Sequence, residues 1–185
     1  EVVLLPGQPP VPLDAIGEAV RERLASAAVR GAPASVPGDP VDVALGAAFA
    51  VVEPRSTRQL QAVPFDARHR STSSLDVVDG RVVLTLRGAP EVVLARCARM
   101  LLPDGRTAGL DGAGRAEVLR DVETIAAAGT RAIAVADGES DEIDDDGLTL
   151  VGIVGLSDPL RADAAAAVAS AREAGVVVVM VTGDH

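Results

Sequence analysis

The chain has 185 residues, 48% hydrophobic and 24% charged, which is enough for one well-packed domain or for one domain and part of a second. Its 17 basic residues are all arginine, and with 27 acidic residues they give a net charge of −10, which argues against a nucleic-acid or anionic-membrane surface. The lack of lysine excludes a Walker-type phosphate loop and Schiff-base chemistry. A single cysteine excludes an internal disulfide and a multi-thiolate metal site, and no apolar run approaches the length of a membrane span.

Hydrophobic spacing and turn signals predict alternating helices and strands up to about Ser157. Helices are expected at residues 14–30, from Asp39 onward, at 89–99 and at 113–128, and Asp39-Pro40 is a strong start signal because aspartate caps the first turn. Strands are expected at residues 2–5, 59–65, 73–78, 81–87, 131–136 and 148–156, and Asp79-Gly80 predicts a tight hairpin. This mixture predicts an α+β fold in which helices flank an antiparallel sheet.

The pattern changes after Ser157. An alanine-rich helix is expected at residues 161–174 and a continuous apolar strand at 176–181, which is typical of a parallel strand covered on both faces. The sequence therefore predicts one domain at residues 1–157 and a fragment of an α/β domain at 158–185. Because the chain opens on Glu1 and not on methionine, we expect it to be part of a longer protein.

Phe65 lies in a basic island of an otherwise acidic chain. Residues 54–74 contain four arginines and one acid, Asp66. An aromatic ring beside guanidinium groups suits a ligand that has a flat base and phosphates. The alternative is a core phenylalanine at the end of a strand, surrounded by solvated arginines, and the spacing alone favours this alternative.

Other segments allow both a functional and a structural interpretation. Residues 87–91, Arg-Gly-Ala-Pro-Glu, place Gly88 where a ligand could approach the backbone, or they form a simple strand–turn–helix. Asp42 is a capping acid or an acceptor for a base amine. The acidic stretch 139–146 lacks the twelfth-position acid of a calcium loop and is interpreted as a solvated loop. Cys97 is expected to pack on the apolar face of the helix at residues 89–99.

Six ordered blocks together resemble the cytoplasmic nucleotide-binding domain of P-type cation-transporting ATPases. Residues 38–45 are similar to the family's Gly-Asp-Pro-Thr-Glu-x-Ala-Leu, residues 64–73 to its Pro-Phe-(Asn/Asp) block, and residues 87–91 to Lys-Gly-Ala-Pro-Glu. Residues 129–134, 158–161 and 174–185 are similar to Gly-x-Arg-x-Leu-Ala, Asp-Pro-Pro-Arg and the block ending in Thr-Gly-Asp-His. The order of the blocks makes the resemblance specific, and the Lys-Gly-Ala-Pro-Glu block favours the calcium-like branches.

The resemblance implies a role for each matching residue. Phe65 would stack on adenine and Asp42 would lie near the base amine, while Gly88 would let the nucleotide approach closely. The three cations of the site would be Arg70 and Arg87, which stand at lysine positions of the family, and Arg131, which would face the phosphates. The residues implied to support the phosphorylation domain are Asp158 and Arg161 at its hinge and Thr182, Gly183 and Asp184 at its phosphate end.

The resemblance also implies what lies outside the chain. The Asp-Lys-Thr-Gly-Thr loop with the phosphorylated aspartate and the later Gly-Asp-Gly-x-Asn-Asp motif do not occur, so no catalytic nucleophile is expected here. ATP and Mg²⁺ are the implied substrate and cofactor. The implied partners are the phosphorylation, actuator and transmembrane domains of a multi-pass parent, with this part at the cytoplasmic face of the plasma membrane. The alternative is a haloacid-dehalogenase-like phosphatase with a cap domain, whose Asp-x-Asp loop residues 1–12 lack.

Overall fold

A computed structural model describes residues 2–30, 39–50, 57–127, 129–157 and 163–179. Its helices are α1 (Glu18–Arg30), α2 (Pro40–Ala48), α3 (Pro90–Ala95), α4 (Gly112–Ala127) and α5 (Ala164–Glu173), with one 3₁₀ turn at Leu13–Ala15. Its strands are β1 (Val2–Leu4), β2 (Val11–Pro12), β3 (Thr57–Asp66), β4 (Ser71–Val78), β5 (Arg81–Gly88), β6 (Cys97–Leu101), β7 (Thr107–Gly109), β8 (Arg131–Glu139) and β9 (Leu148–Leu156).

The nine strands within these ranges form one sheet, and seven of them follow each other in the order β2-β1-β9-β8-β5-β4-β3. All neighbours along this path are antiparallel. The strand β6 pairs in parallel with β9 and antiparallel with β7. Because β8 occupies one edge of β9, β1 and β6 share the other edge, with β1 opposite residues 153–155 and β6 opposite residues 148–150. The α+β prediction, an antiparallel sheet flanked by helices, is confirmed.

Local signals in the sequence account for the start of α2 and for the hairpin between β4 and β5. Asp39 caps α2, because its carboxylate accepts the Val41 N–H at 2.8 Å and Pro40 takes the first helical position. Asp79 and Gly80 both have positive φ, 51° and 80°, as a two-residue type I′ hairpin between β4 and β5 requires. Both predictions are confirmed.

Each face of the sheet carries its own apolar core. One core lies under α3 and α4 and contains leucines 84, 86, 94, 148 and 150 with Val118. The other lies under α1 and α2 and contains Leu24, Leu45 and Phe49 with Val135 and Val151. The strand β9 is buried along nearly its whole length because both cores cover it, which explains its continuous apolar sequence.

The face under α1 also contains a charged and hydrogen-bonded network. The buried carboxylate of Asp137 pairs with Arg23 at 2.7 Å and with Arg30 at 3.2 Å. Asp76, also buried, accepts a hydrogen bond from the hydroxyl of Ser74 at 2.7 Å. Arg30 further donates from Nε to the hydroxyl of Thr85 at 3.2 Å. Two arginines of α1 thus compensate the charge of the acid that β8 contributes to the interior, whereas Asp76 of β4 is bonded to a hydroxyl group.

One predicted element, the helix at residues 89–99, differs from the structure near Cys97. The helix expected at residues 89–99 ends at Ala95, and Cys97 opens β6 because it pairs there with Leu148 of β9. Arg115 of α4 stabilises this early end by donating to the carbonyls of Leu94, at 3.0 Å, and Cys97. The cysteine is buried as expected, although on a strand, and burial raises the pKa of its thiol to about 12.

The predicted strand at residues 176–181 is not formed in its described part. Residues 176–179 have no strand structure, and Val177 is 84% exposed. Among the described residues no strand pairs with them, and an apolar run without a partner strand cannot satisfy its backbone by pairing. Residues 180–181 and 161–162, which belong to the predicted strand and the preceding helix, lie outside the described residues.

We expect Asp76→Asn to stabilise the protein at neutral pH. Burial raises the pKa of Asp76, since it outweighs the hydrogen bond from Ser74 and the charge of Arg30. A raised carboxyl pKa favours folding below the pKa of the unfolded chain, and this contribution is lost as the pH rises through the pKa of the folded state. The variant should therefore melt above the wild type at pH 7, and the gap should close as the pH falls toward 4.

Thermal melts across this pH range test the expectation. Asp141→Asn, in the exposed acidic loop, is the matched control and should shift the melting temperature little at any pH. An Asp76→Asn variant that melts below the wild type at pH 7 would show that the carboxylate charge stabilises the network.

Candidate functional site

A cavity of about 560 Å³ opens where the start of α2, the turn after β3, the end of β5 and the start of β8 meet. Its volume is within the usual range of small-molecule sites. All six candidate binding residues line it, although they come from four separate segments: Asp42, Phe65, Arg70, Arg87, Gly88 and Arg131. The remaining lining is largely apolar and comprises Asp39, Pro40, Val41, Pro64, Thr72, Ala89, Pro90, Ala132 and Ile133.

Phe65 presents an exposed ring to this cavity. It is 56% exposed, whereas the chain's other aromatic residue, Phe49, is 2% exposed and packs under α1 and α2. The alternative interpretation of Phe65 as a core phenylalanine is therefore wrong. An exposed aromatic ring in an apolar recess is unusual in a domain with so few aromatic residues, and it is suited to stacking on a flat ligand.

The turn at residues 66–70 holds Phe65 and Arg70 together. The carboxylate of Asp66 accepts the backbone N–H of Arg68 at 2.7 Å and contacts Nδ1 of His69 at 3.0 Å. The backbone hydrogen bond from Arg68, followed by the contact with His69, lowers the pKa of Asp66. The N–H of Arg70 donates to the carbonyl of Asp66 at 2.6 Å, and Arg70 itself takes a left-handed φ of 51°.

Two arginines offer accessible positive charge at the cavity. Arg70 forms an ion pair with Glu91 at 2.5 Å, and both side chains are about half exposed. Arg131 is exposed at the first position of β8, and its side chain makes no hydrogen bond or ion pair within the part of the chain that the structure describes. Both guanidinium groups can therefore be reached by an anion in solution.

Arg87 is arranged differently, because it is only 2% exposed. Its Nη2 donates to the carboxylate of Asp42, and its Nη1 donates to the carbonyl of Ala28 at 2.8 Å. Its Nε is buried and has no hydrogen-bond partner among the described residues. Arg87 thus lines the cavity as part of its wall, with its charge compensated by Asp42, and its contact with a ligand stays a prediction.

Gly88 is required by the protein's own backbone. A Cβ at this position would lie 2.3 Å from the carbonyl oxygen of Arg70 and 2.7 Å from Cα of Ser71. The end of β5 therefore packs directly against the turn that carries Arg70, and the N–H of Ala89 donates to that same carbonyl at 2.9 Å. This contact gives the glycine a structural reason that the sequence alone did not indicate.

Comparison with known families identifies this arrangement. Residues 24–163, well over half of the chain, match the family described as P-type ATPase, cytoplasmic domain N. The chain belongs to this family. The family resemblance inferred from the sequence is thereby confirmed.

Curated relatives agree with the family match. The cation-transporting ATPase pma1 of Synechocystis is 33% identical over 99% of this chain and 21% of its own length. Calcium-transporting ATPase 7 of rice, plasma membrane-type, is 36% identical over 69% of the chain and 13% of its length. The calcium-transporting ATPase of Bacillus subtilis is 33% identical over 69% of the chain and 15% of its length. The chain thus spans about a fifth or less of these relatives.

Several residues of the N domain site were not singled out from the sequence. Pro64, Thr72 and Pro90 line the cavity next to candidate residues, so their place in the same blocks was an available signal. Glu91 appeared in the sequence analysis only as part of the segment 87–91, and its pairing with Arg70, 21 residues away, left no local pattern. Ala132 and Ile133 follow Arg131 on β8 and complete the apolar wall.

The candidates implied for a phosphorylation domain cannot be placed in the N domain. Asp158, Arg161, Thr182, Gly183 and Asp184 all lie outside the described residues. Within the described ranges, no three His, Cys, Asp or Glu side chains cluster closely enough to hold a metal ion. No helix in those ranges is long and apolar enough to cross a membrane.

We expect Gly88→Ala to destabilise the N domain by about 1–3 kcal/mol, because the added methyl must displace backbone atoms. Gly109→Ala is the matched control, since nothing lies within 4 Å of a Cβ at this strand position. Denaturant unfolding of the two variants measures the difference. Equal stabilities would contradict the close contact between Gly88 and the turn at residues 66–70.

Proposed function

We propose that this N domain binds ATP in the cavity around Phe65 and presents its γ-phosphate to an aspartate in another domain of a cation pump. The observation that carries the proposal is the convergence of six motif residues from four segments on one cavity, with an exposed aromatic ring in its wall. The family match and the names of the relatives support a pump as the parent. Calcium and related cations are the class of transported ion that these names favour.

The adenine would lie against Phe65. Pro64, Val41 and Ile133 supply further apolar surface in the same cavity, so a flat base would lose water from both faces. One carboxylate oxygen of Asp42 is held by Arg87, while the other makes no hydrogen bond within the described residues. This second oxygen is suited to accept a hydrogen bond from the exocyclic amine of adenine.

The phosphates would meet Arg70 and Arg131. Both are exposed, and a guanidinium group can give two parallel hydrogen bonds to one phosphate. In a chain of net charge −10, these fixed positive charges are needed to bring a polyanion to this surface. Arg87 would contribute to nucleotide binding indirectly, because its Nη2 donates to the carboxylate of Asp42 and holds it in place.

The described residues do not supply a set of ligands for Mg²⁺. We infer that Mg²⁺ belongs to the phosphate end of the bound nucleotide, beyond the groups described here. Residues 1–157 would form the N domain proper, and residues 158–185 would lead into the phosphorylation domain. The parent would place this part at the cytoplasmic face of the plasma membrane and join it to actuator and transmembrane domains. The family match over residues 24–163 favours this proposal over the phosphatase alternative.

Removing the ring of Phe65 tests the proposed base site. We expect the chain to bind ATP and ADP in the sub-millimolar to millimolar range, about −4 to −6 kcal/mol. Phe65→Ala should weaken binding by about 1–3 kcal/mol, the scale of one base–aromatic stack, and Phe65→Trp should be tolerated. Isothermal titration or chemical-shift titration measures these differences.

The buried phenylalanine provides a matched control. Phe49→Leu should lower the melting temperature because it leaves a gap in the core, and it should leave nucleotide affinity close to that of the wild type. If Phe65→Ala unfolds the chain, or if it binds ATP as tightly as the wild type, the proposed base site is wrong.

The isolated chain should bind ATP without hydrolysing it. Phosphoryl transfer needs a nucleophile and charge stabilisation around the γ-phosphate, and binding energy directed at the base alone lowers no barrier. We expect no phosphate release above background from ATP or para-nitrophenyl phosphate with Mg²⁺ present. Turnover that is abolished by Asp158→Asn or Asp184→Asn would instead favour the phosphatase alternative.

A further inference from the structure

An ion pair between Arg70 and Glu91 stands at the rim of the cavity. The distance from Nη1 of Arg70 to Oε1 of Glu91 is 2.5 Å, and the two side chains are 53% and 48% exposed. Arg70 lines the cavity, whereas Glu91 is not among the lining residues. A cation of the site is therefore already partnered, before any ligand arrives, by an acid that lies outside the cavity.

The backbones that carry the two residues are held together. The N–H of Arg70 donates to the carbonyl of Asp66 at 2.6 Å, and its carbonyl accepts the N–H of Ala89 at 2.9 Å. Glu91 follows two residues later in α3, directly after the buried Pro90. Arg70 and Glu91 are thus fixed as neighbours, and only their side chains are left to rearrange.

Such a pair is easily exchanged. An ion pair between exposed side chains contributes little stabilising free energy, since water and salt screen both charges. A phosphate carries more charge than a carboxylate and accepts two parallel hydrogen bonds from a guanidinium group. A phosphate that enters beside Arg70 therefore competes with Glu91 for the same donors, and the displaced carboxylate stays nearby as a like charge.

We propose that Glu91 is a specificity-determining residue that acts as the resident counter-ion of Arg70, which the phosphate tail of the ligand must displace. This inference rests on the proposed function and deepens it. Glu91 lowers the affinity for the phosphate tail and has no effect on the base. The domain's preference among adenosine, AMP, ADP and ATP is then set by the competition between Glu91 and phosphate, and not by Arg70 alone.

The test is a series of titrations of the full chain with adenosine, AMP, ADP and ATP. Glu91→Gln should tighten the binding of ADP and ATP about two- to fivefold, the range that exposed ion pairs support, and should leave adenosine unchanged. Glu91→Ala, checked for folding by its thermal melt, should act in the same direction. Glu139→Gln, which removes a comparable exposed pair with Arg81 away from the cavity, is the matched control and should change nothing.

Arg70→Gln separates exchange of partners from simple repulsion. In the Arg70→Gln background, Glu91→Gln should tighten ATP less than it does beside Arg70, because only the repulsion between carboxylate and phosphate is left to relieve and there is no guanidinium group to release. The same tightening with and without Arg70, or unchanged or weaker ATP binding by Glu91→Gln, would overturn the proposal. If adenosine still binds through Phe65 in that case, only the role of Glu91 fails. If neither adenosine nor ATP binds the wild type, the proposed function fails with it.

Discussion

The buried guanidinium group of Arg87 ties the two helices beside the cavity to the sheet. It projects from the end of β5 and reaches the carbonyl of Ala28 in α1 and the carboxylate of Asp42 in α2. Taking a charge out of water is costly, and the cost is offset only when its donors are satisfied by well-placed partners. Because both partners belong to helices, this side chain helps to fix the position of α2, together with the packing of Leu45 and Phe49 in the core.

The two faces of the sheet differ in the polarity of their buried residues. Under α3 and α4 the strands contribute leucine and alanine, and the core is apolar. Under α1 the strands β4, β5 and β8 contribute Ser74, Asp76, Thr85, Arg87 and Asp137, all buried. The arginines of α1 supply the compensating charges, so this helix is held at a defined position by directional bonds as well as by apolar contact. The cavity opens at the edge of this polar face.

How far the sequence predicts this molecule depends on whether a signal is local. The cap at Asp39 and the Asp79-Gly80 hairpin are local, and both were predicted correctly. The end of α3 at Ala95 and the strand β6 depend on the pairing of β6 with β9, about fifty residues further on, and β7 pairs in turn with β6. These features were missed. Helical spacing at residues 89–99 was real but was overridden by that pairing.

The candidate site follows the same rule. The motif resemblance assigned all six residues to one site, and all six line one cavity. The resemblance could not distinguish an accessible cation from a buried one. Alternation along β5 puts Arg87 on the face that α1 and α2 cover, and its partner Asp42 is 45 residues away. The exposure of the Phe65 ring was equally hard to predict, since the spacing alone favoured a core phenylalanine at that position.

The pairing of β1 with β9 has a consequence for the order in which the sheet can be assembled. Val2 stands opposite Gly155, so two strands that are about 150 residues apart in the chain lie side by side, about 5 Å apart. Bringing such distant residues together costs more chain entropy than closing the two-residue hairpin between β4 and β5. The pairing of β1 therefore depends on a sheet that the intervening strands have already built around β9.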